Sequence, residues 1–169
     1  MKIKTDFVTN SSSSSFIVFF PNEIRTKDDV SKFIKREDFC STITQDAIRQ
    51  KPIKVEKTKE VFDLISDELS SGYLNDTLKG FDYYEKQFCK RNNVTMKDLY
   101  KNQQWYSQMR DEIEELKKQD CYKVASDLIE KYEGTFVYIF EYSDETEYGN
   151  ELEHHNNWGE LPNVRVNKH

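Results

Sequence analysis

The sequence predicts an α+β domain: a small, mostly antiparallel sheet formed by N- and C-terminal strands and packed against a helical middle region. Three observations carry this expectation. The two most strand-like segments, Phe16–Phe20 and Thr135–Tyr142, lie towards opposite ends of the chain. Between them, apolar residues recur at three- and four-residue steps with charges interleaved. Breakers are scarce, with 5 Gly and 3 Pro in 169 residues, which favours long elements over glycine-loop or solenoid architectures. That length suits one domain over 1–169, and 11 Phe, 10 Tyr and 2 Trp give it the bulk to build a core.

The elements follow in order. The block Phe16-Ile17-Val18-Phe19-Phe20 does not alternate, as expected of a strand covered on both faces, and Pro21 ends it by removing a donor. Ahead of it, Asn10 to Ser15 reads as a polar loop. Thr26 caps a helix whose Val30, Phe33 and Ile34 point inward, running to about Arg36, and a short helical turn follows Thr44. Ile53 and Val55 alternate with Lys54 and Glu56 in a brief edge strand. Thr58 then starts a helix lined by Val61, Phe62, Ile65 and Leu69, with Gly72 as its left-handed stop.

Asp76 opens the next helix, through Leu78, Phe81, Tyr84 and Phe88, and Asn92-Asn93 closes it. Thr95 caps the longest helix, with Leu99, Tyr106, Met109, Ile113 and Leu116 inward, and the two should form an antiparallel hairpin. Asp120 begins a further helix that Gly134 ends. In Thr135–Tyr142, residues Phe136, Tyr138, Phe140 and Tyr142 face one way and Val137 and Ile139 the other, which predicts a central strand. Val164 and Val166 alternate with Arg165 and Asn167 in a last short strand.

Charge excludes several classes. Lys plus Arg total 25 and Asp plus Glu 31, so the net charge of −6 repels a phosphate backbone and disfavours nucleic acid as a partner. The lysines at 51, 54, 57 and 59 read as a solvated face. Met1 to Val8 holds no apolar stretch of signal length, and Phe16–Phe20 is too short to cross a bilayer. A soluble cytoplasmic protein with no membrane partner is expected. Cys40, Cys89 and Cys121 form no CxxC pair, which suits free thiols in a reducing compartment. Gly72, Gly80, Gly134, Gly149 and Gly159 are too dispersed for a dinucleotide fingerprint or a phosphate loop. GxSxG, HExxH and kinase signatures are missing as well.

Two segments hold the chemistry that remains. Asn10, Ser11, Ser12, Ser13, Ser14 and Ser15 offer hydroxyls and backbone donors that could hold an anion or accept a covalent modification. The segment Glu141–Glu160 carries seven carboxylates with no Lys or Arg, and His154 and His155 lie inside it. Read as extended chain, period two sets Glu151, Glu153 and His155 on one face. With Asp144 they form a candidate divalent-metal set, although the spacing matches no specific metal signature.

If the Phe16 strand pairs antiparallel with Thr135–Tyr142, the serines and this acidic segment meet; if parallel, they separate. Antiparallel pairing is the expectation, since most sheets of this class are antiparallel.

The phrase Phe7-Val8-Thr9-Asn10-Ser11-Ser12-Ser13-Ser14-Ser15-Phe16-Ile17-Val18 resembles the opening of a group of uncharacterised bacterial and phage proteins. Tyr142-Ser143-Asp144-Glu145 and Leu152-Glu153-His154 resemble endings in the same group. The resemblance covers the two ends of the chain and not its helical middle. It implies a bacterial or phage source and transfers no catalytic residue.

Two readings of function follow. The first is an acidic interaction or regulatory protein that offers Glu147, Glu151, Glu153 and an exposed Trp158 to a partner protein with a basic surface. The alternative is a metal-dependent enzyme or anion-binding protein that joins the serines to Asp144, Glu153 and His155.

Overall fold

The structure is a computed structural model, and it describes residues 13–72, 74–75, 81–155 and 157–168. Asn10, Ser11, Ser12 and the expected helix start at Asp76 and Leu78 lie outside the described residues.

Five strands form one sheet in the order β2-β4-β1-β5-β3, and every neighbouring pair is antiparallel. They are β1 (Ser13–Phe20), β2 (Ile53–Lys54), β3 (Leu74–Asn75), β4 (Phe136–Ser143) and β5 (Asn163–Asn167). The two strands expected from opposite ends of the chain do pair, with Phe16 opposite Phe140 and Phe20 opposite Phe136. β1 takes the centre and β4 lies interior beside it, while β2 is the edge strand its short alternation suggests. β3 had no sequence signal, because a two-residue strand is too short to show a period.

The serines correct the first expectation. Ser13, Ser14 and Ser15 are strand residues rather than loop, since their backbones stay in register with β4 and β5.

Seven helices accompany the sheet among the described residues: α1 (Lys27–Ser31), α2 (Glu37–Ile48), α3 (Lys59–Ser70), α4 (Phe81–Asn92), α5 (Met96–Lys101), α6 (Gln103–Lys131) and α7 (Glu147–His155). Thr26 and Thr58 cap α1 and α3 as expected, with a capping box at Thr26 and Asp29. α1 stops at Ser31 instead of Arg36, and α2 runs 12 residues where only a turn was expected. Its inward stripe Phe39, Cys40, Ile43 and Ala47 outweighs the β-branched Thr42 and Thr44, and Thr44 Oγ1 returns its donor to Cys40 O at 2.6 Å.

Gly72 is not a left-handed stop: among the described residues the positive-φ glycines are Gly134 and Gly159. Its small size serves close packing instead, because a Cβ there would lie 2.4 Å from Val166 Cγ1 and 2.8 Å from Asn167 O. At the end of α4, Asn93 takes φ 53° and Val94 N donates to Cys89 O at 3.0 Å, which satisfies an orphan carbonyl.

The expected break at Asp120 is absent. α6 is continuous over 29 residues, roughly 43 Å at 1.5 Å per residue. Thr95 caps the short α5, and Asn102 caps α6 through Gln104 N and Trp105 N. Asp120 resembles a cap in sequence, but its carboxylate accepts from the Tyr84 hydroxyl instead.

The strand alternation sorts residues between two cores. Phe16, Val18, Phe20, Tyr138 and Phe140 pack with Val30, Phe39 and Ile43 of α1 and α2 on one face. Ile17, Phe19 and Val137 pack with α3 and with Cys121, Ala125 and Ile129 of α6 on the other. Each fully buried side chain of this kind contributes about 1.5–3 kcal/mol relative to exposure. A third core, with Tyr84, Phe88, Leu99, Met109 and Ile113, joins α4, α5 and the first half of α6 away from the sheet. α6 therefore belongs to two cores at once, and its first half makes a helical arm.

Candidate functional site

The antiparallel register determines what meets at the sheet end. Ser13 lies opposite Ser143, and Ser15 lies opposite Glu141. Hydroxyls and carboxylates therefore share one end of the molecule, as the antiparallel reading required.

Alternation sends Ser13 and Ser15 to the same face as Ile17, where Glu68 of α3 and Lys168 after β5 also arrive. Ser13 Oγ donates to Glu141 Oε1 at 3.2 Å, and Ser15 Oγ donates to Glu68 Oε1 at 2.5 Å. Lys168 Nζ sits 3.1 Å from Glu68 Oε1 and 2.8 Å from Glu141 Oε2. Burial pulls the Lys168 pKa down, but the hydrogen bonds to Glu141 and Glu68 outweigh it and the net direction is up. Lys168 is thus held as an ammonium and cannot act as a base for either serine. The two hydroxyl protons point at carboxylates, the reverse of an anion cradle. Ser14 turns to the opposite face, where its Oγ is buried without a hydrogen-bond partner. The anion-binding expectation therefore fails at Ser13 and Ser15, while Asn10, Ser11 and Ser12 lie outside the described residues.

The acidic segment was expected to be extended, and it is helical from Glu147 to His155. On a helix, residues four apart share a face and residues two apart do not, so the period-two set of Glu151, Glu153 and His155 is not formed. α7 begins beside the sheet end and carries His155 roughly 12 Å further along its axis. His154 and His155 are exposed, and among the described residues no group of three His, Cys, Asp or Glu side chains could hold a metal ion. The side chain of Glu153 is outside the described set.

One cation organises this helix. Arg36, between α1 and α2, donates to Asp38 Oδ1 at 2.8 Å, Glu151 Oε1 at 2.7 Å and Glu147 Oε1 at 2.5 Å. Its guanidinium also lies 4.3 Å from the Phe39 ring centroid. Its hydrogen bonds to Glu147, Asp38 and Glu151 push its pKa further up. Glu151 Oε2 additionally accepts from Asn157 Nδ2 at 2.8 Å. Five carboxylates (Asp38, Glu147, Glu151, Glu68 and Glu141) thus share two cations, Arg36 and Lys168. The Glu147 side chain remains 71% exposed, and Glu145 beside it is exposed as well. Among the described residues these two clusters therefore hold more carboxylates than cations.

Trp158 corrects the partner-binding set, because it is fully buried. Its ring lies 5.5 Å from Phe16 and 5.2 Å from Phe140, centroid to centroid. Gly159 explains the placement: at φ 65°, a Cβ there would fall 2.5 Å from Phe33 O, so the chain presses against the α1–α2 connection and turns the indole inward. Polar neighbours in sequence made this residue look exposed.

Sequence reasoning missed Arg36, Glu68 and Lys168. Lys168 continues the inward parity of Val164 and Val166, and Glu68 follows Ile65 by one helical step, so both carried a readable signal. Arg36 carried none, since Glu147 lies 111 positions away.

The cysteines fit structural thiols. All three are free and buried, and burial pushes each thiol pKa up, away from a reactive thiolate. A groove of about 540 Å³ between the start of α3 and the C-terminal half of α6 is lined by Lys57, Lys59, Phe62 and Ile129. Lys59 pairs there with Asp63 and Lys51 with Glu60, as befits a solvated face.

Tyr142 adds a testable pH dependence. Burial, then its hydrogen bond to Asp46 Oδ2 at 2.8 Å, raise its pKa above the ordinary 10.0. Below that value both folded and unfolded states keep the proton; above it only the unfolded state releases it, so stability falls as pH rises past about 10. Each such tyrosine contributes a slope of about 1.4 kcal/mol per pH unit in that window. Urea unfolding followed above that pH should show a shallower decline for Tyr142→Phe than for the wild type. Equal slopes would remove Tyr142 from this account.

The chain matches no family model, no curated protein and no solved structure. No helix among the described residues is long and apolar enough to cross a membrane.

Proposed function

We propose that this is a non-catalytic interaction protein that presents its carboxylate-rich sheet end to a basic surface on a partner protein. The observation that supports the reading is the excess of carboxylates: five share Arg36 and Lys168, and Glu145 adds to them. A negative patch of this kind speeds encounter with a positive surface and disfavours like-charged ones. Arg36 refines the role of the two glutamates. Glu147 and Glu151 share one side of α7 by their four-residue spacing, and Arg36 holds both, which gives the patch a fixed shape rather than a diffuse charge. The resemblance of the chain's two ends to bacterial and phage proteins supports a role in a bacterial cytoplasm, where a small acidic protein can occupy a site meant for another ligand.

The experiment is a titration with a decalysine peptide at increasing ionic strength. Affinity should fall about tenfold or more between low salt and about 0.3 M, as exposed charge pairs are screened. The double substitution Glu145→Gln, Glu147→Gln should weaken binding and flatten that salt dependence, with Arg36 still held by Asp38 and Glu151. Unchanged affinity and salt slope in the double variant would refute the reading.

A further inference from the structure

The chain just past α2 places a side chain where another strand would lie. Gln50 sits against the outer edge of β4: its Nε2 donates to Ile139 O at 2.7 Å, and its Oε1 accepts from Ile139 N at 3.0 Å. A primary amide in this reciprocal pose supplies the donor and acceptor that one residue of a neighbouring antiparallel strand would supply.

The position along the edge matters. β2 pairs with β4 only at Phe136 and Val137, and Ile139 is the next outward residue in the two-residue alternation of the ladder. Beyond it, Ser143 O accepts from Thr146 N at 3.1 Å and from Thr146 Oγ1 at 2.7 Å. β2, Gln50 and the Thr146 turn therefore cover the outward groups at Val137, Ile139 and Ser143, and Glu141 lies between the last two. Asp46, four residues before Gln50, holds Tyr142 of the same strand. The last turn of α2 is thus fastened along the edge.

We propose that Gln50 is an edge guard: it closes a strand-acceptor site on β4 that would otherwise pair with the same edge of a second copy of this chain. An uncovered strand edge is a template for such pairing, and natural sheets block theirs. The chemistry fits self-association. An antiparallel two-fold pairing centred on Phe140 sets Ile139 opposite Glu141 of the second copy, so like charges do not face each other. Ile48, two residues before Gln50 at the end of α2, is 55% exposed. This inference does not depend on the acidic sheet end binding a basic partner.

The test follows the Ile139 amide and the mass of the protein together. In Gln50→Ala at low concentration, Ile139 amide exchange should quicken about tenfold, the loss of one ordinary hydrogen bond. As concentration rises, light scattering should report a larger mass than the wild type at equal concentration, and Ile139 protection should return. An Ile139 amide unchanged in the variant would overturn the guard. So would an exposed Ile139 in a variant whose mass follows the wild type throughout. Should Gln50→Ala fail to fold, Gln50→Ser, whose side chain is too short to reach both Ile139 groups, takes its place with the same two readouts and the same two overturning results.

Discussion

Trp158→Ala should cost about 3–5 kcal/mol of stability, the range for deleting a large aromatic from a packed core. The indole is fully buried and lies between Phe16 and Phe140, so its loss opens a cavity against the central strand and its neighbour. Since a domain of ordinary stability has about 5–15 kcal/mol in total, this one change removes about a fifth or more of it. Trp158→Phe keeps a ring in the same place and discards an Nε1 that has no hydrogen-bond partner, so a much smaller loss is expected. Chemical denaturation of the three proteins measures both. A Trp158→Ala protein as stable as the wild type would return this residue to the surface and to the partner-binding set.

Met109→Ala should act on a different part of the molecule. Met109 is fully buried in the small core of α4, α5 and the first half of α6, and its truncation should cost about 2–5 kcal/mol there. Among the described residues that core contains six buried residues and none from the sheet, so the loss is expected to open the arm before the body. Amide exchange should quicken across α4, α5 and the first half of α6, while β1 and β4 keep their protection. Hydrogen bonds cross between arm and body at Tyr84 with Asp120, and Lys117 Nζ donates to Gly72 O at 2.5 Å. If these couple the two cores tightly, protection would fall equally everywhere, and the division into arm and body would be wrong.

The parts of the fold that were legible share a physical reason. β1 and β4 are covered on both faces, and the resulting apolar blocks are visible without knowledge of their partners. Thr26, Thr58 and Asn93 are local devices whose partners lie within a few residues, so sequence spacing finds them. Illegible features depend on distant partners. Asp120 has the chemistry of a cap, yet a tyrosine 36 positions earlier uses it, and nothing local interrupts the helix. α7 was hidden because its carboxylates look like a solvated loop until Arg36 is known to gather them. Ser13 to Ser15 looked like a loop because serine favours turns, whereas here both neighbouring strands supply the ladder bonds that override that preference. The shared end of serines and carboxylates was readable from one assumption about strand direction. Which hydroxyl met which carboxylate required the register.

The proposed interaction surface lies at the sheet end, where β1 begins and β4 and β5 finish. Amide chemical-shift mapping during a decalysine titration tests it most directly. The account predicts that the largest changes fall on Ser13–Ser15, Glu141–Ser143 and the first turn of α7, and fade as salt is added. Changes confined to the α4–α5 arm, or spread evenly over the surface, would contradict it.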